Sequence, residues 1–294
     1  MKKIVIIGSG FSSLSAACYL AQKGHQVEVL EKNDSLGGRA RQFKKDGFTF
    51  DMGPSWYWMP DVFESFFGDF GKKVSDYYQL DRLAPGYQVV FGKDDVFPVE
   101  DSVAKIAARF ETIEAGSGVK LERFIEKARN NYDIAVKDLV YRPGISPLEL
   151  ITPQTVRKVG LFFTNIRKQV EKQFKNQKLR SLLKFPVLFL GAKPESTPAF
   201  YNFMNYADFG LGTWHPKGGM YQIVAGMVSL GESLGVRYKT DQAVEEIIVE
   251  HGTAVGVRVG TAIIKADLVI SGADYHHTET LLPKEKRAYS EAYW

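Results

Sequence analysis

Lys2-Lys3-Ile4-Val5-Ile6-Ile7-Gly8-Ser9-Gly10-Phe11-Ser12-Ser13 opens the chain, and the helix-forming run Leu14 to Lys23, Gly24, and then Gln26-Val27-Glu28-Val29-Leu30-Glu31 follow it. The first apolar run is short, continuous and rich in β-branched residues, which predicts a parallel strand buried on both faces. The glycines turn it into a helix, Gly24 ends that helix, and a second strand ends on Glu31. The unit is therefore β-α-β with an acid at the tip of its second strand. Gly8 permits the sharp turn and Gly10 lets backbone approach a pyrophosphate, while the N–H groups of Phe11, Ser12 and Ser13 stand at the positive end of the helix dipole. Glu31 is placed to accept hydrogen bonds from the ribose of an adenosine. Ser13 stands where a third glycine usually permits close helix-to-strand packing. Strand, turn, helix and acid in this order and spacing point to a dinucleotide.

The 294 residues are 45% hydrophobic and 24% charged, which suits a globular chain of one large or two modest domains and argues against disorder. A net charge of +4 is too small to argue for nucleic acid. Cys18 is the single cysteine, so no intramolecular disulfide can form, and its place in the first helix marks it as a small buried residue. The adjacent His276 and His277 lack helical ligand spacing and have no Cys or acidic cluster beside them, so no metal is expected. Four apolar residues before Gly8 are too few for a signal peptide, and no stretch approaches the roughly 20 apolar residues of a membrane span; a cytoplasmic location is expected.

Lys32 to Arg39 carries Gly37-Gly38-Arg39. Adjacent glycines let backbone lie against a ligand, and the Arg39 guanidinium suits a phosphate or the electron-rich end of a flavin. Phe43 to Ser55 reads as a hairpin turning at Asp46-Gly47 and ending in Asp51-Met52-Gly53-Pro54-Ser55. Trp56 and Trp58, next in the chain, suit either a ligand wall or a core. Gly86 to Val99 reads as a second hairpin. Asp101-Ser102 can cap a helix that Gly116 and Gly118 break, and a second helix runs from Leu121 to Leu139. Val159, Phe162, Phe163, Ile166, Val170 and Phe174 then form an apolar stripe within Val156 to Lys184, where nine Lys and Arg face a single Glu171. Such an amphipathic basic helix suits either a membrane interface or a core with a solvated basic face. A helix opened by Thr197 with Pro198 at its first position follows. Pro216-Lys217-Gly218-Gly219-Met220 opens a helix to about Leu234, and the strands read thereafter include Ala243 to Val249. His215 is a weak candidate for a catalytic base, since no orienting acid accompanies it in sequence.

Gly8 to Arg39, Phe50 to Pro54 and Pro216 to Met220 together resemble the carotenoid desaturases of the bacterial phytoene desaturase type, within the amine-oxidase-like flavoproteins. The resemblance implies an α/β fold: a Rossmann-like FAD-binding domain, with antiparallel strands added to its parallel sheet, in two parts at 1–82 and 212–294. An inserted, mostly helical substrate domain spans 83–211. It implies that FAD contacts Gly8, Gly10, Phe11, Ser12, Ser13, Glu31, Lys32, Gly37, Gly38, Arg39, Gly53, Pro54, Ser55, Gly218, Gly219 and Met220, and that a strand at Val244 lays its backbone against adenine. It further implies desaturation of an acyclic C40 polyene at a membrane surface, with quinone or oxygen as final acceptor. No catalytic base is identified; Asp138 and Arg142 are guesses. Family members carry a further Gly-rich segment that covers the flavin, so the chain is expected to be an N-terminal portion that binds FAD poorly and is inactive alone. An amine oxidase, a retinol-saturase or carotenoid-isomerase relative, and an inactive flavin-fold binding module are the alternatives.

Overall fold

The computed structural model describes residues 1–294, which fold into two compact units. The first comprises 1–55, 64–80 and 216–294, and the second 56–63 and 81–215.

The first unit is α/β. Its opening strand β1 (Lys3–Ile7), helix α1 (Phe11–Gln22) and strand β2 (Gln26–Leu30) form the β-α-β unit. β1 lies at the inside of a four-stranded parallel sheet, between Leu268–Ser271 and β2, with Arg237–Lys239 beyond β2. Its continuous hydrophobicity has a direct cause: Ile4 and Ile6 face a core shared with Ala17, Ala21, Val27 and Val29, while Val5 and Ile7 face a second core with Leu30, Ile247 and Val257. The antiparallel sheet Glu246–Glu250, Thr253–Val259 and Ala262–Lys265 supplies that second core. Gly24 terminates α1 at φ +81°, its N–H bonded to the Ala21 carbonyl. Cys18 is fully buried in α1, and burial pushes its thiol up to about 12, so it behaves as a packing residue. The hairpin Gln42–Lys45 with Phe48–Asp51 turns at Asp46 and Gly47, both at positive φ as a type I′ turn requires.

The second unit combines the hairpin Tyr87–Gly92 with Asp95–Val99 and a set of helices led by Val103–Ile113 and Ser117–Lys137. Ser102 caps the first of these through the N–H of Lys105. Glu114 to Gly116 separate the two helices, with Gly116 at φ +77°; Gly118, expected to be a breaker, lies inside the second, where its missing Cβ lets it approach the Ala107 carbonyl.

The expected amphipathic helix across Val156 to Lys184 is not continuous. It divides into Pro153–Arg157, a 3-10 turn Val159–Leu161, Ile166–Gln173 and Gln177–Lys184. Asn165 and Asn176 cut it, each accepting a backbone N–H of a new helix start, from Lys168 at 2.8 Å and Lys178 at 2.9 Å. Ile166, Val170 and Phe174 are fully buried with Leu179, Leu182 and Leu183 in the core of the unit, so this half of the stripe faces protein, while Val159 and Phe163 of its first half are exposed. The helix expected at Thr197 begins later, as a 3-10 turn Ala199–Asn202 with Pro198 at its cap, because the Thr197 hydroxyl bonds back to the Lys193 carbonyl at 2.8 Å. No helix is long and apolar enough to cross a membrane.

Candidate functional site

The loop between β1 and α1 is built by backbone conformation first. Gly8 has φ +83° and its N–H bonds to the Leu30 carbonyl at 2.8 Å, which fixes the turn over the end of β2. Gly10 caps α1 at φ −68° and ψ 172°, with no side chain capping the helix and no acid in its first turn. A Cβ on Gly10 would meet nothing within 4 Å. Neither backbone nor packing demands glycine there, so any demand for it comes from a ligand.

Ser13 explains how a serine stands at the third position. A Cβ on Gly272 would collide with the Ser13 hydroxyl, so the glycine that makes room lies on the facing chain. The Ser13 hydroxyl is buried without a hydrogen-bond partner. Buried hydroxyls normally have one.

Glu31 is 3% exposed and its carboxylate is fully engaged. One oxygen accepts the Ser9 N–H at 3.0 Å and the Ser9 hydroxyl at 2.6 Å; the other accepts the Asn33 N–H at 3.0 Å and the Asn33 side-chain amide. Four donors fill the four acceptor sites of a carboxylate, so a ribose hydroxyl must displace the Ser9 hydroxyl or the Asn33 amide. Burial raises the Glu31 pKa, but the donated bonds of Ser9 and Asn33 outweigh it and hold the carboxyl below the usual range. The folded pKa thus lies below the unfolded one. The stability this contributes is present above the ordinary glutamate range, near 4.5, and is lost as pH falls through the folded value. Glu31→Gln, which turns an amide donor toward converging donors, is expected to cost about 2 kcal/mol at pH 7. It should also flatten the acid limb of the stability profile; a variant whose midpoint matches the parent at pH 7 and at pH 4 would contradict this.

The same Ser9 hydroxyl accepts the Gly37 N–H at 3.0 Å, joining the β1 loop to the double-glycine turn. Gly37 and Gly38 have φ of +110° and +57°, and a Cβ on Gly38 would press on the Gly10 Cα at 3.1 Å. Arg39 and Lys32 are exposed beside this turn, and Arg41 braces it by donating to the Gly38 carbonyl at 2.9 Å.

Gly53 packs on the Arg39 carbonyl at φ +88°, with no room for a Cβ; Pro54 and Ser55 follow it on the surface of the unit. Asp51 accepts the Met220 N–H at 2.7 Å and the Tyr221 N–H at 3.3 Å, capping helix Tyr221–Ser233. Gly219, at φ +98°, lies against the same carboxylate, and Gly218 is also at positive φ. The three sequence segments are thereby brought to one region. The strand expected at Val244 begins later: Val244 lies in a loop before Glu246–Glu250, and its side chain is buried in the core with Val5 and Leu30. A bond from the Gln242 N–H to the Glu31 carbonyl keeps the chain extended beside β2 there, before pairing with Thr253–Val259 begins.

Sequence reasoning missed Ser9, Asn33, Asp51 and Gly272. A hydroxyl between the two glycines was a local signal; Asn33 acts on Glu31 two residues away, and Asp51 and Gly272 act through partners distant in the chain. Asp138 and Arg142 pair with each other at 3.0 Å, and Arg142 also donates to the Glu149 carbonyl at 2.7 Å, bracing the loop between them. His215 is half-buried in the short strand Trp214–Pro216.

A parallel sheet with a glycine-lined loop at a helix start and an engaged acid at the end of the next strand is the arrangement of dinucleotide-binding folds. The chain belongs to the family of flavin-containing amine oxidoreductases, which it matches over residues 11–293. Its curated relatives include the carotenoid 3,4-desaturase of Haloarcula japonica, 42% identical over 99% of this chain and 60% of that protein. A 4,4'-diapophytoene desaturase of Staphylococcus haemolyticus is 35% identical over 95% of this chain and 57% of that one. The zeta-carotene-forming phytoene desaturase of Myxococcus xanthus is 32% identical over 96% and 56%. The chain thus spans about 60% or less of the length of these relatives. Among solved structures, an oxidoreductase from Methanosarcina mazei shares the fold with a TM-score of 0.61 at 23% identity, covering 99% of this chain and 63% of that one. A putrescine oxidase does so at 0.61 and 18%, covering 95% and 59%.

The residues present fit the flavin dinucleotide that the family implies. Gly10 leaves open space at the start of the helix, the Ser13 hydroxyl is buried without a partner, and the glycine turn at Gly37 and Gly38 presents backbone beside Gly10.

Proposed function

We propose that this chain is the FAD-binding and substrate-receiving part of a carotenoid desaturase that removes hydrogen from an acyclic, phytoene-like C40 polyene. The observation that carries this is the 42% identity to a carotenoid 3,4-desaturase along 99% of the chain. FAD, when bound, supplies a hydride acceptor. In the first unit, Gly8, Gly10 and the N–H groups of Phe11, Ser12 and Ser13 hold the pyrophosphate, and Glu31 receives the ribose. Gly37 to Arg39 and Gly53 to Ser55 line the path onward, with Gly218 to Met220 held there by Asp51. The second unit receives the polyene and keeps water from it.

A cytoplasmic enzyme acting on such a substrate works at a membrane face, and the second unit offers an apolar surface for it. That surface is the run from Val140 to Phe163, in which Ile145 is 86% and Phe163 87% exposed, with Leu148 and Ile151 also open to solvent. It takes the place of the buried half of the stripe, Ile166, Val170 and Phe174, as the membrane contact and keeps Phe163 from the exposed half. Ile145→Asp with Phe163→Asp is expected to reduce co-flotation with anionic vesicles about tenfold or more; unchanged flotation would sink this assignment.

The activity itself is tested on a protein that carries this chain together with the further Gly-rich segment of the family, by supplying FAD with either an acyclic C40 polyene or a primary amine. New conjugation appearing in the polyene spectrum is the expected result. Amine oxidation without it would favour the amine-oxidase alternative, and binding of polyene without flavin reduction would favour an inactive binding module.

A further inference from the structure

Five rings of the second unit converge on one another at the edge of its core, against which Tyr87 packs. Trp56 makes stacked contacts with Trp58, at 5.6 Å and 22°, and with Tyr87, at 5.0 Å and 27°. Phe189 stands edge-on to both tryptophans, at 5.0 and 4.9 Å, and Phe185 edge-on to Trp56 at 5.7 Å. The rings are only partly buried, and Phe189 is 51% exposed, with Leu188 and Leu190 open beside it.

Polar atoms of this group are tied away from the ring faces. The Trp58 indole N–H donates to the buried Thr213 hydroxyl at 2.9 Å. The Tyr87 hydroxyl donates at 2.6 Å to Asp208, which is 1% exposed in the π-helical turn Tyr206–Gly210. Burial pushes the Asp208 carboxyl up to about 8, against the lowering effect of the Tyr87 bond, so at neutral pH it is largely uncharged and places no anion beneath the rings. Phe185 also lines a cavity of about 280 Å³ with Val89, Leu182, Leu188 and Pro194, and Ser181 and Lys184 add polar groups to its wall. That is just under the size of a small-molecule site, room for the end of a long chain and not the whole of it.

We infer that the Trp56–Trp58–Tyr87–Phe189 platform and the adjoining cavity form a subsite for a conjugated, methyl-branched apolar chain, with Asp208 a positioning residue that holds the Tyr87 ring. This rests on the polyene reading above. The rings take the flat unsaturated part by stacking and the cavity takes the terminus. Stacking is worth more than area alone, so the platform selects conjugated over saturated chains, which a merely greasy core would not do.

The test is a titration of the full chain with an acyclic C40 polyene of five conjugated double bonds, read from its own absorption shift. A saturated branched hydrocarbon of equal length serves as competitor. Trp56→Leu is expected to weaken polyene binding about tenfold while changing competition by the saturated chain less than twofold. Trp56→Phe should recover most of the loss, and the half-exposed Phe189→Ala should lose several-fold without risk to folding. Asp208→Ala should lower the preference for the conjugated chain and Asp208→Asn, which keeps an acceptor for Tyr87, should restore it. Parent and variants binding the polyene equally, or losing polyene and saturated chain in parallel, would overturn the subsite while leaving the polyene reading intact. A parent protein that binds no polyene while still binding FAD would overturn both.

Discussion

Gly10→Ala is expected to lower FAD affinity about 100-fold, roughly 2.7 kcal/mol, while leaving the fold unchanged. The contrast follows from the structure. At φ −68° and ψ 172° the position suits any residue, and an added methyl meets no protein atom within 4 Å. The gain from a stiffer unfolded chain and the loss of a glycine cap are both a few tenths to about 1 kcal/mol and oppose each other. Thermal unfolding should therefore coincide with the parent while calorimetric titration of FAD collapses. A variant that unfolds well below the parent, or that keeps its affinity, would remove Gly10 from the pyrophosphate site.

Gly53→Ala is expected to do the reverse and damage the fold of the first unit, by about 3 kcal/mol. The methyl would overlap the Arg39 carbonyl oxygen, and φ +88° is a conformation that costs an L-residue about 1–3 kcal/mol before any clash. Carbonyl and glycine both belong to backbone, so neither can rotate away as a side chain would. For a chain of this size the midpoint should fall by roughly 6–12 °C. A drop of under about 2 °C would show that the Asp51–Ser55 strand end can shift. The two glycines are indistinguishable as letters. One is kept by the protein's own backbone and the other by its ligand.

That difference marks the boundary of what was legible in the residues. The β-α-β unit was readable because its signals are local: a strand buried on both faces, a glycine turn, a glycine stop. So were the turn at Asp46 and Gly47, the Ser102 cap, and the helix after Met220. The basic stripe was misread as one helix because a period of 3.6 describes a helix facing protein and one facing lipid equally well, and the Asn165 and Asn176 caps that cut it weigh little in that pattern. Ser9, Asn33, Asp51 and Gly272 were invisible for another reason. Each acts on a segment that only the fold brings near: Ser9 on Gly37, Asp51 on Met220, Gly272 on Ser13. Even Asn33, two residues from Glu31, matters because it occupies an oxygen that the spacing alone assigns to ribose.

The central claim is that the first unit holds the adenosine diphosphate half of FAD between Gly8 and Glu31. Competition distinguishes it from any other mode of flavin binding: FAD fluorescence anisotropy is followed in the presence of ADP or FMN. Saturable FAD binding that ADP reverses and FMN does not, and that Gly10→Ala removes, is the predicted result. Absence of saturable binding, or displacement by FMN as effective as that by ADP, would contradict it.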